Sequence, residues 1–73
     1  MYVCHLRDDN KIDVERCRIS LSEKSAISLI ILDSGGRFAC LTGVVQSIQF
    51  DPERAVGTRW RVEMDLSTVA STD

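Results

Sequence analysis

The sequence predicts an all-β fold, a small five- to six-stranded antiparallel barrel, and three observations carry that expectation. In "TRWRVEMDL" the apolar residues Trp60, Val62, Met64 and Leu66 alternate with Arg59, Arg61, Glu63 and Asp65, the period of two that marks a half-buried strand. In "LIILDSGGRF" an apolar run, a glycine turn and a second apolar run follow one another, the order of a β-hairpin. Turns are frequent and no long amphipathic helix interrupts them, which favours a meander closing on itself.

Taken along the chain, "MYVCHLR" is the first strand and Asp8-Asp9-Asn10 a turn cluster. In "KIDVERCRISL" Ile12 and Val14 alternate before the phase slips to Cys17, Ile19 and Leu21, and the slip implies a bulge near Arg16. Val14, Cys17 and Leu21 also stand at helical spacing, so a short helix through "DVERCRISLSEKS" competes. Strand is the preferred reading, because Ile19 and Leu21 carry period two toward the polar run "SLSEKS", which then forms a barrel corner. Residues 26 to 32 pair with 37 to 42 across Asp33-Ser34-Gly35-Gly36. No helix opening with lysine and a hydroxyl residue follows those glycines, so they make a turn and not a phosphate loop.

The long strand "RFACLTGVVQSIQF" sets Phe38, Cys40, Val44, Ile48 and Phe50 in one phase and Leu41 and Val45 in the other. Both faces of such a strand want cover, and Gly43 marks a bulge or sharp bend. Asp51-Pro52 starts the next turn and Gly57 supplies a positive φ before the closing strand. "STVASTD" has neither period nor bulk. The chain thus divides into a single barrel domain over residues 1–66 and a flexible tail over 67–73.

A chain of 73 residues buries roughly 60% of the surface its unfolded form exposes, so its core is thin and a partner or dimer is expected to contribute. With 44% hydrophobic and 27% charged residues the composition is globular. The apolar stretch from Ile27 to Leu32 is broken by Ser28 and falls short of the roughly 20 residues a bilayer demands. "MYVCHLRDD" lacks the basic start and apolar core of a signal peptide. A soluble, cytoplasmic protein without membrane contact is expected.

Cys4, Cys17 and Cys40 are an odd set without a C-x-x-C pair, which argues against a disulfide framework. Zinc would need close ligand pairs, and the adjacent Cys4 and His5 point to opposite faces of one strand. No metal, cofactor or catalytic residue is expected, since the carboxylates are scattered and no nucleophile stands in a recognisable motif. Arg59-Trp60-Arg61 sets cations beside an aromatic, yet alternation turns the indole away from them. A net charge of −2 and a pI near 5.2 lack the basic footprint of nucleic-acid binding.

The run Ser20-Leu21-Ser22-Glu23-Lys24-Ser25 resembles the second motif of PilZ domains, D/N-x-S-x-x-G, which sits on a corner entering a strand. Ser22 matches the motif serine, Ser20 replaces the acid or amide, and Ser25 replaces the glycine. The order of "ISLIIL", a glycine turn, "FACLTGVV" and a strand ending near "VEMD" extends the resemblance over residues 17 to 66. The resemblance implies a six-stranded barrel of the kind that binds cyclic di-GMP. Binding members carry an R-x-x-x-R element whose guanidiniums fork onto phosphate and stack on bases. Here only Arg7 and Lys11 stand at that spacing, and lysine lacks the planar fork.

Two functions follow as expectations. The first is a non-enzymatic interaction module that docks on a protein partner or on itself through an uncovered strand edge or apolar patch, a divergent PilZ-like domain that has lost the dinucleotide. The second is a sensor of cyclic di-GMP or another anionic nucleotide, using Arg7, Lys11, Arg16 and Arg18 with Ser20, Ser22 and Ser25 of the corner.

Overall fold

The computed structural model describes residues 1–32 and 35–67. Four strands and one helix follow in the order β1 (Tyr2–Leu6), α1 (Lys11–Glu23), β2 (Ala26–Leu32), β3 (Phe38–Phe50) and β4 (Trp60–Leu66). The strands form one antiparallel sheet in the order β1-β4-β3-β2, curled into a half-barrel. Helix α1 covers the concave face, lying mainly against β3 and β2. The fold is β-rich and small, as the alternation predicts, with four strands in place of five or six.

The strand expected over Ile12 to Leu21, with its bulge near Arg16, is helix α1. Asn10 decides its start: its side-chain carbonyl accepts the Asp13 amide at 3.2 Å, its backbone carbonyl accepts the Val14 amide, and Asp13 sits in the positive first turn. The buried stripe is Val14, Cys17 and Ser20, a spacing of three that helical geometry brings to one side. Ile12, Ile19 and Leu21, which the strand reading sets in period two with Val14 and Cys17, are exposed on the helix surface. The corner "SLSEKS" is the helix C-terminus. Lys24 caps it in the left-handed conformation, φ 56°, with its amide on the Ser20 carbonyl.

Strand β3 changes face along its length. Leu41 and Val45 point into the core, then the register shifts between Val45 and Ser47, and Ile48 packs inward after it. One extra residue at Gln46 therefore swaps the parity of the strand, which explains why apolar residues occupy both phases of the sequence. The bulge lies at Gln46 and not at Gly43. Gly43 serves a close approach instead: a Cβ there would overlap the Asp65 carbonyl oxygen and lie 2.8 Å from the Leu66 Cα.

The core joins Cys4 and Leu6 of β1, Val14 and Cys17 of α1, Leu29 of β2, Leu41 and Val45 of β3, and Val62 and Met64 of β4. The inward parity of β4 is the one its alternation predicts, with Leu66 half-exposed at its end. Ser20 is the one buried polar residue among those described. Its hydroxyl donates to the Ser25 carbonyl at 2.6 Å and accepts the Val45 amide at 3.0 Å, occupying the amide beside the bulge. The turns at Asp8-Asp9 and after Asp51 form as expected, and Gly57 takes φ 120°. Of the tail expected over 67–73, Ser67 donates to the Thr42 carbonyl, and residues 68–73 lie outside the described residues.

Candidate binding surface

Half-closure leaves an open seam between β1 and β2, the two edges of the sheet. The Ser67 amide donates to the Thr42 carbonyl at 2.8 Å, so even-numbered residues in this part of β3 bond toward β4 and odd-numbered ones toward β2. Leu29 stands opposite Leu41 and Ile31 opposite Ala39. Hence β2 turns the N–H and C=O groups of Ser28, Ile30 and Leu32 to its free edge. Arg16 confirms the parity: its Nη2 reaches across from α1 to the Ser28 carbonyl at 2.7 Å, while Nη1 holds Asp13 at 3.0 Å. One end of the edge is thereby occupied, a common protection of unpaired strands. Ile30 and Leu32 remain beyond its reach.

The same end of the sheet carries apolar surface. Ile30 is 68%, Leu32 62% and Phe38 79% exposed, and Leu32 stands directly opposite Phe38 across the hairpin. These side chains border a hollow of about 530 Å³ that crosses the seam to Leu6 and His5 of β1 and to Arg7. A second hollow continues it along β1 to Arg54 and Thr58 of the β3–β4 connection. No carboxylate lines either one among the described residues. Arg7 pairs with Asp9 at 3.3 Å at the surface, and Arg54 is steadied by its Nε on the Thr58 carbonyl at 2.7 Å. Burial, then Arg54 and Arg61, lower the His5 pKa against an opposing pull from Asp51.

Asp8 fixes one wall of the seam. Its carboxylate accepts the Gly57 and Arg59 amides at 3.0 and 2.7 Å and the Arg59 guanidinium at 2.8 Å, while its own amide donates to Gly57. The Arg59 side chain, followed by those amides, holds the carboxyl below its usual value. Arg59 also lies over Phe50, 4.9 Å from the ring centre, and Phe50 meets Trp60 edge to face at 5.1 Å.

The residues the sequence nominates for nucleotide binding are distributed over several places. Arg7 is in the β1–α1 connection with Asp9, and Arg16 reaches toward β2. Arg18 turns to the other flank of the helix, 5.4 Å over the Trp60 ring and paired with Glu15. Lys11 shares a hollow with Arg18 and Trp60 that Asp8 and Glu15 also line. Ser20 is buried and doubly bonded, Ser22 is exposed, and Ser25 gives its carbonyl to Ser20. The structure brings Lys11 and Arg18 together and leaves Arg7, Arg16 and Ser22 apart from them. Trp60, expected as a core anchor, packs against the core with one side under Arg18.

Sequence reasoning places Ile30, Leu32 and Phe38 on strands without singling them out. The signal for Ile30 and Leu32 is the run "LIIL", apolar in both phases when the opposite face of the sheet carries no cover.

The fold and surface together define a small half-barrel with a helix-filled concave side, an unpaired edge and an apolar hairpin end. Compared with protein-family models, with curated proteins and with solved structures, the chain matches none. No described helix is long and apolar enough to cross a membrane.

Proposed function

We propose that this chain is a non-enzymatic interaction module that docks through the open seam and the apolar hairpin end. The observation that carries the reading is the joint exposure of Ile30, Leu32 and Phe38 beside a strand edge with free backbone groups. Neutral side chains of this size gain nothing from water, and an apolar patch continuous with a groove is the usual mark of a docking site. The thin core agrees with a partner completing the fold. On this reading the half-barrel is a divergent relative of PilZ-type barrels, reduced to four strands, in which "SLSEKS" serves as a helix cap instead of a dinucleotide turn.

An environment-sensitive naphthalene sulfonate dye tests the module. Its fluorescence is expected to rise with folded protein and to lose most of that rise in the double variant Ile30→Thr, Phe38→Thr, with circular dichroism unchanged. No enhancement with the native chain overturns the reading.

The second reading is a sensor of cyclic di-GMP or another anionic nucleotide. Arg18 stacked over Trp60 with Lys11 alongside favours it, because a guanidinium over an aromatic face is a platform for a base. The acids Asp8 and Glu15 in the same hollow oppose it. Calorimetric titration decides: absence of heat at tens of micromolar dinucleotide removes this reading.

A further inference from the structure

We infer that the seam takes one extended segment of a partner protein, apolar on one side and acidic on the other, added as a short strand to the free edge of β2 at Ile30 and Leu32. The inference rests on the module reading and names the chemistry of the occupant. The edge of β2 supplies the backbone half of the interaction: residues 30 and 32 each aim an N–H and a C=O away from β3. Arg16 sets the length of the site, because its guanidinium already holds the Ser28 carbonyl. A partner strand therefore pairs with the C-terminal half of β2 only.

The side-chain half comes from the seam. A strand laid along β2 turns alternate side chains toward the interior, where they meet Leu6 and Ile31, and the others toward the rim. That rim carries Arg7 and Arg54 and no carboxylate among the described lining residues. Acidic side chains on the outward positions complement it, and basic ones are repelled. A second copy of this chain is the weaker occupant, since pairing β2 with its own copy sets the same two arginine-bearing rims and both Arg16 caps against each other.

The probe is a short capped peptide alternating glutamate with valine, titrated into isotopically labelled protein. The amide signals of Ile30, Leu32 and Phe38 are expected to shift, and exchange of the Ile30 and Leu32 amides with deuterium is expected to slow. A lysine–valine peptide of equal length is expected to bind at least about tenfold more weakly, as like charges meet at the rim. A glutamate–valine peptide N-methylated on the amides that face β2 is expected not to bind.

Equal affinity for the glutamate and lysine peptides overturns the acidic partner, and unimpaired binding of the methylated peptide overturns strand addition. Shifts confined to the Trp60 side move the site elsewhere. Concentration-dependent shifts of Ile30 and Leu32 without peptide assign the edge to a second copy. If the dye reports apolar surface and the glutamate peptide leaves the seam signals unmoved, the module stands and this occupant falls. If the dye is silent, both fall.

Discussion

Replacing Ser20 by alanine tests how the helix is fastened to the sheet. The hydroxyl is fully buried and makes two hydrogen bonds, one to the Ser25 carbonyl at 2.6 Å and one from the Val45 amide at 3.0 Å. The Val45 amide faces the β2 side, just beyond the Ala26–Val44 pair where the ladder to β2 ends. Without the hydroxyl it is a buried donor with no partner, a loss of about 1–3 kcal/mol. The Ser25 carbonyl is only part-buried and recovers water, so its share is about 0.5–1 kcal/mol. Alanine returns about 0.5 kcal/mol through its better helix propensity. The net expectation is a destabilisation of about 1–3 kcal/mol, a lowering of Tm by roughly 5–20 °C for a domain of this size. Urea unfolding followed by circular dichroism measures it, with an unchanged slope expected. Ser22→Ala, on the exposed side of the same helix, is the control and is expected within about 0.5 kcal/mol of the parent. A Ser20→Ala protein as stable as that control would refute the bridging role of the hydroxyl.

Lys24→Gly relieves a left-handed cap at φ 56° and is expected to stabilise by up to about 1 kcal/mol in the same urea assay. Gly43→Ala drives a methyl into the backbone of Asp65 and Leu66, where neither atom can yield, and is expected to cost about 1–3 kcal/mol or more. Acid is expected to destabilise. Asp8 is held low first by Arg59, Glu63 first by the Ser47 hydroxyl, and His5 is lowered first by burial. For all three the unfolded chain binds protons more readily, so their contribution is full above the ordinary imidazole value of 6.5. It is lost on acidification, first through His5 and then, below the ordinary carboxylate values of 3.8 and 4.5, through Asp8 and Glu63. Urea midpoints from neutral to acid pH follow this loss, and His5→Gln and Asp8→Asn are expected to flatten its upper and lower parts. An aromatic disulfide reagent is expected to label Cys40 in the folded protein and to reach Cys4 and Cys17 only on unfolding, because those thiols are buried and burial pushes Cys17 up to about 11.

The strands were legible where one face is wet and the other dry. Trp60 to Leu66 and the hairpin of β2 with β3 lie where alternation and glycines place them. Helix α1 was legible only as the competing reading, on Val14 and Cys17, because its buried stripe is short and its third member is Ser20 and not Leu21, while Ile19 and Leu21 remain on the surface in a period of two that imitates a strand. Hydrophobicity alone does not register a polar residue whose value lies in two hydrogen bonds. The bulge expected at Gly43 falls three residues later for a related reason: Gln46 is an ordinary exposed residue, and only the change of parity between Val45 and Ile48 betrays it. The seam was less legible still. Which strand edge is unpaired depends on the spatial order β1-β4-β3-β2, which local periodicity does not encode.

That order also constrains how the protein is made. Tyr2 pairs with Met64 and Leu6 with Trp60, so β1, made before the other three strands, waits for β4 to be made before it can pair. Throughout that interval Cys4 and Leu6 have no β4 to lie beside, and a nascent chain in this state offers the sticky β1 segment to chaperones or neighbours. Joining such distant segments also ranks this topology among the slower ones to form for its length.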